Sequence, residues 1–319
     1  MPYIFSSGSY SSCLLSQVTQ SSLQLNDVAV ILGNNSKNND LVSAPQTSTF
    51  LFGGLVTRLV GSTIRLNQFI SSCQLNFNTQ NMQQSGFLIG YAVGNSNSIQ
   101  IENTCMYYVV FGTGTYTYFG VIGQNDGNIT FKKSQISLSG TLAYYDNFGV
   151  IGYQTAQSSY SLTTDIQIIL NINNGSAYGQ AGSLFGANNA AVKQISNIQV
   201  NKSNLFVTVF SGGLVGSLAQ TSAQIQNVTI QSTNLSCQKH GCGGIFGYVS
   251  NSSIQVKNST VYSVRISAQS GYGQVLGFIS GSVSLNIQNS KSLGNNYINN
   301  ALQQNCPNFT SVVPSVTQC

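Results

Sequence analysis

The stretch "GGIFGYVSNSSIQVKNSTVYSV" at Gly243–Val264 contains the features that decide the fold. Glycines flank the apolar pair Ile245 and Phe246, a polar turn follows, and an alternating segment ends in Asn258 and Ser259. Alternation of apolar and polar residues predicts a β-strand with one buried face and one solvated face. Whether the stretch is a ligand loop or one copy of a structural unit depends on whether it has relatives elsewhere in the chain.

Relatives of the glycine-flanked segment, here called the anchor, recur at steps of 29 to 34 residues. A glycine-rich sequence without internal repeats would not keep this period, so we predict a repeat protein. The anchors are "FGGLVT", which ends at Thr57, "GFLIG" (Gly86–Gly90), "FGVIG" (Phe119–Gly123 and Phe148–Gly152), "GSLFG" (Gly182–Gly186), "GGLVG" (Gly212–Gly216), "GGIFG" (Gly243–Gly247) and "GQVLG" (Gly273–Gly277).

Each anchor is followed by an alternating segment that ends in an apolar-x-x-Ser/Thr step, such as "NIQVNKS" (Asn197–Ser203), and then by a further short apolar patch, such as "VYSVRIS" (Val261–Ser267). The pattern predicts an all-β, right-handed parallel β-helix (β-solenoid) of about eight coils with about three short strands each, stacked about 4.8 Å apart. A β-propeller usually needs about 40–50 residues per blade, and a β-sandwich needs no common motif in each segment.

The anchors are predicted to supply both the core and the corners of the coils. Their glycines permit tight corners or backbone conformations with positive φ. Their apolar residues should form continuous inward ladders that include Val121, Ile151, Leu184, Val215, Phe246 and Leu276.

The loss of the repeat at both ends predicts three parts. We expect an N-terminal cap or irregular first coils over residues 1–46, solenoid repeats over 47–294, and a C-terminal cap or linker tail over 295–319. Caps are needed because open strand edges promote aggregation.

Composition excludes several classes of function. Only 5% of the 319 residues are charged and the net charge is +5, so we expect no nucleic-acid partner. No stretch approaches the roughly 20 apolar residues of a membrane-spanning helix. The start, "MPYIFSSGSYSSCLLSQVTQ", does not have the basic and apolar regions of a signal peptide, which leaves a cytosolic protein or a mature or partial piece of a secreted one.

The anchor and the strand after it resemble the GLUG-motif repeat. The best matches are "GGLVG" (Gly212–Gly216) with "QIQNVTI" (Gln224–Ile230), and "GGIFGY" (Gly243–Tyr248). The resemblance covers roughly residues 52–292 and implies a β-helix of the adhesive or structural type found on bacterial and protist cell surfaces. The motif is architectural, so no catalytic residue is carried over.

The chain has seven cysteines, an odd count that leaves one unpaired or paired with another chain. They are Cys13, Cys73, Cys105, Cys237, Cys242, Cys306 and Cys319. The close pairs Cys237/Cys242 and Cys306/Cys319 are candidate disulfides, which would favour an oxidising compartment. In "CQKHGC" the alternatives for Cys237 and Cys242 are a disulfide, free thiols, or a metal site with His240, which lacks a fourth ligand.

Asn-x-Ser/Thr sequons permit glycosylation in an extracellular setting, although a composition this rich in Asn, Ser and Thr produces many by chance. The candidates are Asn34, Asn128, Asn174, Asn201, Asn227, Asn234, Asn251, Asn258 and Asn308.

Little in the sequence indicates catalysis or a cofactor. Of six acidic residues, Glu102 and Asp165 occupy similar phases two coils apart, roughly 10 Å, near the separation in an inverting glycosidase. Two unrelated surface carboxylates are the favoured interpretation. The glycine-rich segments precede strands rather than helices, so phosphate binding is not predicted. We expect no catalytic, cofactor-binding or metal-binding residues.

The expected function is therefore a non-enzymatic, extracellular or cell-surface structural protein of the adhesin type. Alternatives are a self-assembling filament or coat subunit and, less favoured, a carbohydrate-active β-helix enzyme. Partners would be other proteins, copies of the chain, or glycans. A lysine ribbon could bind acidic glycans, although a solvated polar corner explains the same residues: Lys132, Lys133, Lys202 and Lys257. Tyrosines of "CMYYVVFGTGTYTYFG" (Cys105–Gly120) could bind sugars or proteins, although they could equally be part of the buried core.

Overall fold

The computed structural model is all-β and describes residues 10–12, 14–32, 41–42, 50–77, 81–155, 161–174, 179–189, 192–303 and 306–309. No helix occurs among these residues. The strands pair in parallel with the equivalent strands of the coils before and after, so the fold is the parallel β-solenoid that the sequence predicts.

The strands of the first half are β1 Tyr10–Ser12, β2 Leu15–Thr19, β3 Ser22–Asn26, β4 Ala29–Leu32, β5 Leu41–Val42, β6 Phe50–Gly53, β7 Val56–Val60, β8 Thr63–Asn67, β9 Ile70–Phe77, β10 Asn81–Val93, β11 Ser98–Glu102, β12 Cys105–Asn125, β13 Asn128–Phe148, β14 Ile151–Gln154 and β15 Ser161–Asn174.

The strands of the second half are β16 Gln180–Gly182, β17 Phe185–Asn188, β18 Val192–Asn201, β19 Asn204–Val207, β20 Phe210–Gly212, β21 Val215–Ala219, β22 Ser222–Gln226, β23 Thr229–Gln231, β24 Asn234–Gly243, β25 Phe246–Ser250, β26 Ser253–Lys257, β27 Thr260–Tyr262, β28 Arg265–Gly273, β29 Leu276–Ser280, β30 Ser284–Gln288, β31 Ser290–Leu293, β32 Tyr297–Ile298, β33 Ala301–Leu302 and β34 Cys306–Phe309.

The anchors stack in register and make seven turns between the first and the last. The next-to-last residue of each anchor pairs with its equivalent in the next coil, along Val56, Ile89, Ile122, Ile151, Phe185, Val215, Phe246 and Leu276. Leu15 extends this ladder by one earlier coil. All members from Val56 to Phe246 are buried, and Leu276 is partly exposed.

The prediction that anchor residues face inward is confirmed for five of them, which are buried and occupy two adjacent anchor positions: Val121, Ile151, Leu184, Val215 and Phe246. Val121 and Leu184 are buried, but each occupies the third anchor position and precedes the ladder residue Ile122 or Phe185. Both apolar anchor residues face the core because the chain bends between them and the preceding strand, so the in-and-out alternation of a straight strand does not apply there.

Each coil in the second half has four strands rather than the expected three. The coil from Val215 comprises β21, β22, β23 and β24. The breaks between these strands coincide with Gln220, Asn227 and Ser232, whose φ values are 52°, 53° and 51°. A single left-handed residue turns the chain sharply, and in this coil each of the three lies at a strand break.

The left-handed corners are occupied mainly by polar residues other than glycine. One corner repeats this conformation in every coil, at Asp27, Gln68, Asn103, Lys133, Asp165, Asn197, Asn227, Asn258 and Asn289. Asn and Asp tolerate this conformation better than other residues with a Cβ. The last glycine of each anchor does not have a positive φ. The positive φ values that were expected at the anchor glycines occur instead at these Asn-rich corners.

The regular recurrence of Ser and Thr at strand ends along the chain has a direct structural cause. Ser259 follows the left-handed Asn258, its hydroxyl donates to the carbonyl of Lys257 (3.0 Å), and the hydroxyl oxygen accepts the N–H of Val228 in the preceding coil (3.3 Å). Ser290 repeats this arrangement one coil later, accepting the N–H of Ser259 at 3.1 Å. The hydroxyl thus satisfies backbone groups that are buried at the corner.

The C-terminal strands end the parallel stack. β32 pairs with β33 in antiparallel fashion, and β34 lies antiparallel to β31. An antiparallel neighbour occupies the edge that another parallel coil would use.

Candidate functional site

The backbones of successive coils approach closely along the anchors, and we call the strip of surface over this contact the anchor groove. A Cβ atom at Gly152 would lie 2.7 Å from the backbone nitrogen of Phe119, and one at Gly216 would lie 2.7 Å from that of Ala181. The strand that leaves one anchor therefore touches the strand that enters the previous anchor. Glycine is required for this close approach of two backbones, and the outward side chains on either side form the walls of the groove.

The walls meet in pairs that join successive coils. Gln84 donates from Nε2 to Oε1 of Gln124 at 3.1 Å. The ring of Tyr118 stacks on that of Tyr153, with centroids 4.8 Å apart. Phe210 stacks on Tyr248 in the same manner, at 4.5 Å.

The aromatic stack at Phe210 and Tyr248 continues to Phe278, whose ring centroid is 6.0 Å from that of Tyr248. Phe278 is 41% exposed, so this end of the stack is open to solvent. The pairs that join successive coils are therefore formed by amide and aromatic side chains.

A buried carboxylate lies at the N-terminal part of the groove. Asp126 is 2% exposed and accepts hydrogen bonds from the hydroxyl of Tyr91 (2.8 Å), the N–H of Gly94 (3.1 Å), Nε2 of Gln124 (2.9 Å) and the hydroxyl of Thr155 (3.0 Å). A carboxylate offers about four acceptor positions, so these donors occupy all of them. We interpret Asp126 as an organiser of the groove rather than as a free acid or base.

Three groove tyrosines have raised pKa values. Burial, together with the bond to Asp126, raises the pKa of Tyr91 to about 12. Burial is also the main cause of the raised pKa values of Tyr118 and Tyr153, with a further contribution from the negative charge of Asp126. All three are therefore neutral hydroxyl groups at neutral pH.

Asp146 is a second carboxylate near Tyr118, and its negative charge helps to raise the pKa of Tyr118. Although its side chain is exposed, partial desolvation raises the pKa of Asp146. Asp126 and Asp146 are therefore the two carboxylates whose charges act on the Tyr118 hydroxyl.

The cysteines of "CQKHGC" form a disulfide, one of the predicted alternatives. Cys237 is bonded to Cys242 and both are buried. His240 is exposed, and its Nδ1 lies 2.7 Å from the hydroxyl of Ser270. Within the described ranges no three His, Cys, Asp or Glu side chains are grouped as metal ligands would be.

The disulfide loop contacts the aromatic stack. A Cβ on Gly241, which has a φ of +69°, would overlap the ring of Phe210. The loop thus covers one side of that ring. The other predicted pair is not described, since Cys319 and the side chain of Cys306 lie outside the described residues, as do Cys13 and the side chain of Cys73. Cys105 is a free, partly exposed cysteine.

The structure does not bring Glu102 and Asp165 together as a pair. Glu102 lies 3.8 Å from Nζ of Lys132, its neighbour in the next coil. Asp165 occupies a left-handed corner and accepts from Nδ2 of Asn197 at 2.8 Å. Glu102 is level with Thr164 rather than Asp165, so the phases differ by one residue.

The predicted lysine ribbon is also absent from the described surface. Lys132 and Lys257 share one row but are separated there by Thr164, Ser196 and Gln226. Lys133 lies at the adjacent corner, and Lys202 lies at another corner that it shares with Ser232 and Ser263.

The described sequons lie at strand ends and corners. Asn227, Asn234, Asn251 and Asn258 are exposed, and Asn128 and Asn201 are partly exposed. Asn227 and Asn234 donate to amide oxygens of the preceding coil, at Asn197 (3.0 Å) and Asn204 (2.6 Å). Asn34 and the side chains of Asn174 and Asn308 lie outside the described residues.

A shallow hollow of about 870 Å³ crosses three corners in the C-terminal half. Two of its lining side chains are engaged within the protein, since the hydroxyl of Ser252 donates to the carbonyl of Ser250 and the amide oxygen of Asn251 accepts the N–H of Ser282. The anchor groove offers more diverse side chains and is the stronger candidate site.

Sequence reasoning located the anchors but missed the groove beside them. The available signal was the residue after each anchor, where Tyr91, Tyr153, Tyr248 and Phe278 place aromatic rings at matching positions. The partners Tyr118 and Phe210 precede their anchors, and only the contact between successive coils brings them opposite these residues.

Comparison with known proteins gives no assignment: no family model, no curated protein and no solved structure matches the chain. Among the residues that the structure describes, no helix has the length and apolar character needed to cross a membrane.

Proposed function

We propose that the chain is a non-enzymatic, adhesin-like structural module that acts outside the cell or at its surface. The observation that carries this proposal is the anchor groove, which lines the rod with paired aromatic and amide side chains, such as Tyr118 with Tyr153 and Gln84 with Gln124. Rigid aromatic and amide groups suit binding because they lose little conformational freedom on contact.

Two further observations support the proposal. The Cys237–Cys242 disulfide is typical of oxidising compartments. The fully bonded Asp126 leaves this part of the groove without a pair of free carboxylates, which favours a binding role over glycoside hydrolysis.

The proposal is tested by adhesion of the purified, disulfide-intact protein to panels of intact cells and extracellular matrix. We expect saturable binding that persists at physiological salt, because the paired aromatic and amide side chains that would make the contacts are uncharged. No saturable binding to any surface would overturn the proposal.

The filament alternative is less favoured because β34 lies antiparallel to the last coil and occupies the edge that end-to-end stacking would use. Negative-stain microscopy distinguishes the two, since a filament subunit forms long fibres in pure solution and a display module stays as single rods.

A further inference from the structure

We propose that the exposed end of the aromatic stack at Phe278 is a binding platform for an acidic glycan, one whose sugars carry carboxylate groups. This inference rests on the adhesive function proposed above and assigns it a site and a ligand class. The platform consists of the Phe278 ring and of three polar residues beside it, and all four side chains are exposed: Phe278, Lys239, His240 and Ser270.

The platform ring is open because Phe278 is the last residue of its row. The register leads from Ser217 through Tyr248 to Phe278, and among the described residues β29 pairs only with β25. Its ring centroid lies 6.0 Å from that of Tyr248 and 6.3 Å from that of Phe210, yet the side chain is 41% exposed. A ring that is held on one side and exposed on the other presents a rigid apolar surface, on which the C–H face of a sugar packs.

A hydrogen-bonding pair lies beside this ring. Gly271 follows Ser270, and a Cβ atom on Gly271 would lie 3.1 Å from the ring of Phe278. The hydroxyl of Ser270 lies 2.7 Å from Nδ1 of His240 in the preceding coil. Because adjacent Cα atoms are about 3.8 Å apart, one sugar residue is large enough to contact both the ring and the polar pair.

The pair leaves one nitrogen of His240 as an acceptor. The hydroxyl of Ser270 has one hydrogen, which it donates to the carbonyl of Lys239 at 3.1 Å. Nδ1 of His240 is therefore the donor to Ser270, and the neutral imidazole has its lone pair on Nε2. A sugar hydroxyl donates to such an acceptor, whereas the apolar side chains of a protein partner do not, which favours a glycan on this platform.

The charge around the platform selects for an acidic ligand. All six acidic residues of the chain lie within residues 1–165, so the coils that form the platform contain none. Lys239 adjoins His240 and is exposed. A carboxylate bound here meets positive charge without a competing acid, and charges within about 8 Å still interact at physiological salt. Residues 166–319 contain six basic side chains: Lys193, Lys202, Lys239, Lys257, Arg265 and Lys291.

The test uses the full, disulfide-intact chain and measures its binding to three probes: oligomers of a uronic acid, oligomers of glucose, and a single-stranded oligodeoxynucleotide of matched charge. Phe278→Ala removes the platform ring, His240→Ala removes the acceptor, and Lys239→Gln removes the adjacent charge. The matched controls are Tyr262→Ala and Lys202→Gln, which remove an exposed aromatic ring and an exposed lysine elsewhere on the surface.

We expect saturable binding of the uronic acid oligomers that is about tenfold weaker in Phe278→Ala and in His240→Ala. Lys239→Gln should reduce the preference for uronic acid over glucose oligomers, and both controls should bind like the wild type. His240→Ala should melt at the wild-type temperature because the side chain is exposed, so its loss of binding reports a lost contact rather than a lost fold.

The outcomes separate this inference from the proposed function. Unchanged uronic acid binding in the platform variants, or no such binding by a chain that still adheres to cells, would overturn the platform while the adhesive function stands. Equal binding of glucose oligomers would contradict the assignment of an acidic ligand, and equal binding of the oligodeoxynucleotide would show that charge alone is recognised. Failure of the wild-type chain to adhere to any surface would overturn the adhesive function and this inference with it.

Discussion

Gly247 lies against the backbone of Ser211, so closely that a Cβ atom at Gly247 would come within 2.7 Å of the Ser211 nitrogen. This contact links the strand after one anchor to the strand before the previous anchor. It explains why the last anchor position is glycine in most copies, and it brings Tyr248 against Phe210.

The first prediction concerns this contact. Gly247→Asn should lower the free energy of unfolding by about 1–3 kcal/mol or more, because the new side chain has no space between the two backbones. Thermal or urea unfolding measures the change. The matched control is Gly94→Asn, at a position with a φ of +84° where a Cβ meets nothing within 4 Å and where Asn is tolerated. Equal losses in the two variants would refute the steric explanation.

The second prediction concerns the left-handed corner at Asn227. Asn227→Val should destabilise by about 1–2 kcal/mol, because a β-branched residue is strained at a φ of 53° and cannot donate to Asn197. Asn227→Gly loses the same hydrogen bond but relieves the strain, so it should be the milder change. Urea denaturation of both variants separates the two contributions, and a Gly variant less stable than the Val variant would contradict this account.

The third prediction concerns the disulfide. Replacing Cys237 and Cys242 together by Ala should cost about 2 kcal/mol in the loop-entropy model, and should loosen the loop over Phe210. Calorimetry gives the loss of stability, and near-ultraviolet circular dichroism reports the aromatic stack. A reducing agent should lower the melting temperature of the wild type but not that of the double variant. Equal effects on both would mean that the bond contributes nothing.

The fourth prediction concerns alkaline pH. Because the pKa of Tyr91 is raised to about 12 in the folded protein from an ordinary value of 10.0, the folded state holds this proton more tightly than the unfolded state. The resulting stability is fully present below about pH 10 and is lost as the pH rises toward 12. Melting temperatures measured across this range should fall more steeply for the wild type than for Tyr91→Phe.

At neutral pH, Tyr91→Phe should itself be less stable than the wild type, because Asp126 loses one of its four donors. Parallel pH curves for the two proteins would show that Tyr91 does not contribute to the alkaline loss.

The fold was predictable because its signals are local. The anchor period and the alternating segments determine the parallel register from Val56 to Leu276. The paired partners in the groove were not predictable, because Tyr118 and Tyr153 are joined only by the approach of two backbones from different coils. Val121 and Leu184 are buried as predicted, although each precedes the ladder residue of its anchor, Ile122 or Phe185.

The stacked register of the anchors has a consequence for how such a protein changes length. Phe246 occupies in its coil the place that Val215 occupies in the preceding coil. Removal of residues 215–245 would therefore join Leu214 to Phe246, the equivalent of Val215, and leave the ladders on either side continuous. We therefore expect the fold to accept the gain or loss of a whole coil. Gain of a single residue would move a left-handed corner out of line with the equivalent corners of the neighbouring coils. We therefore expect the length of the solenoid to change by whole coils.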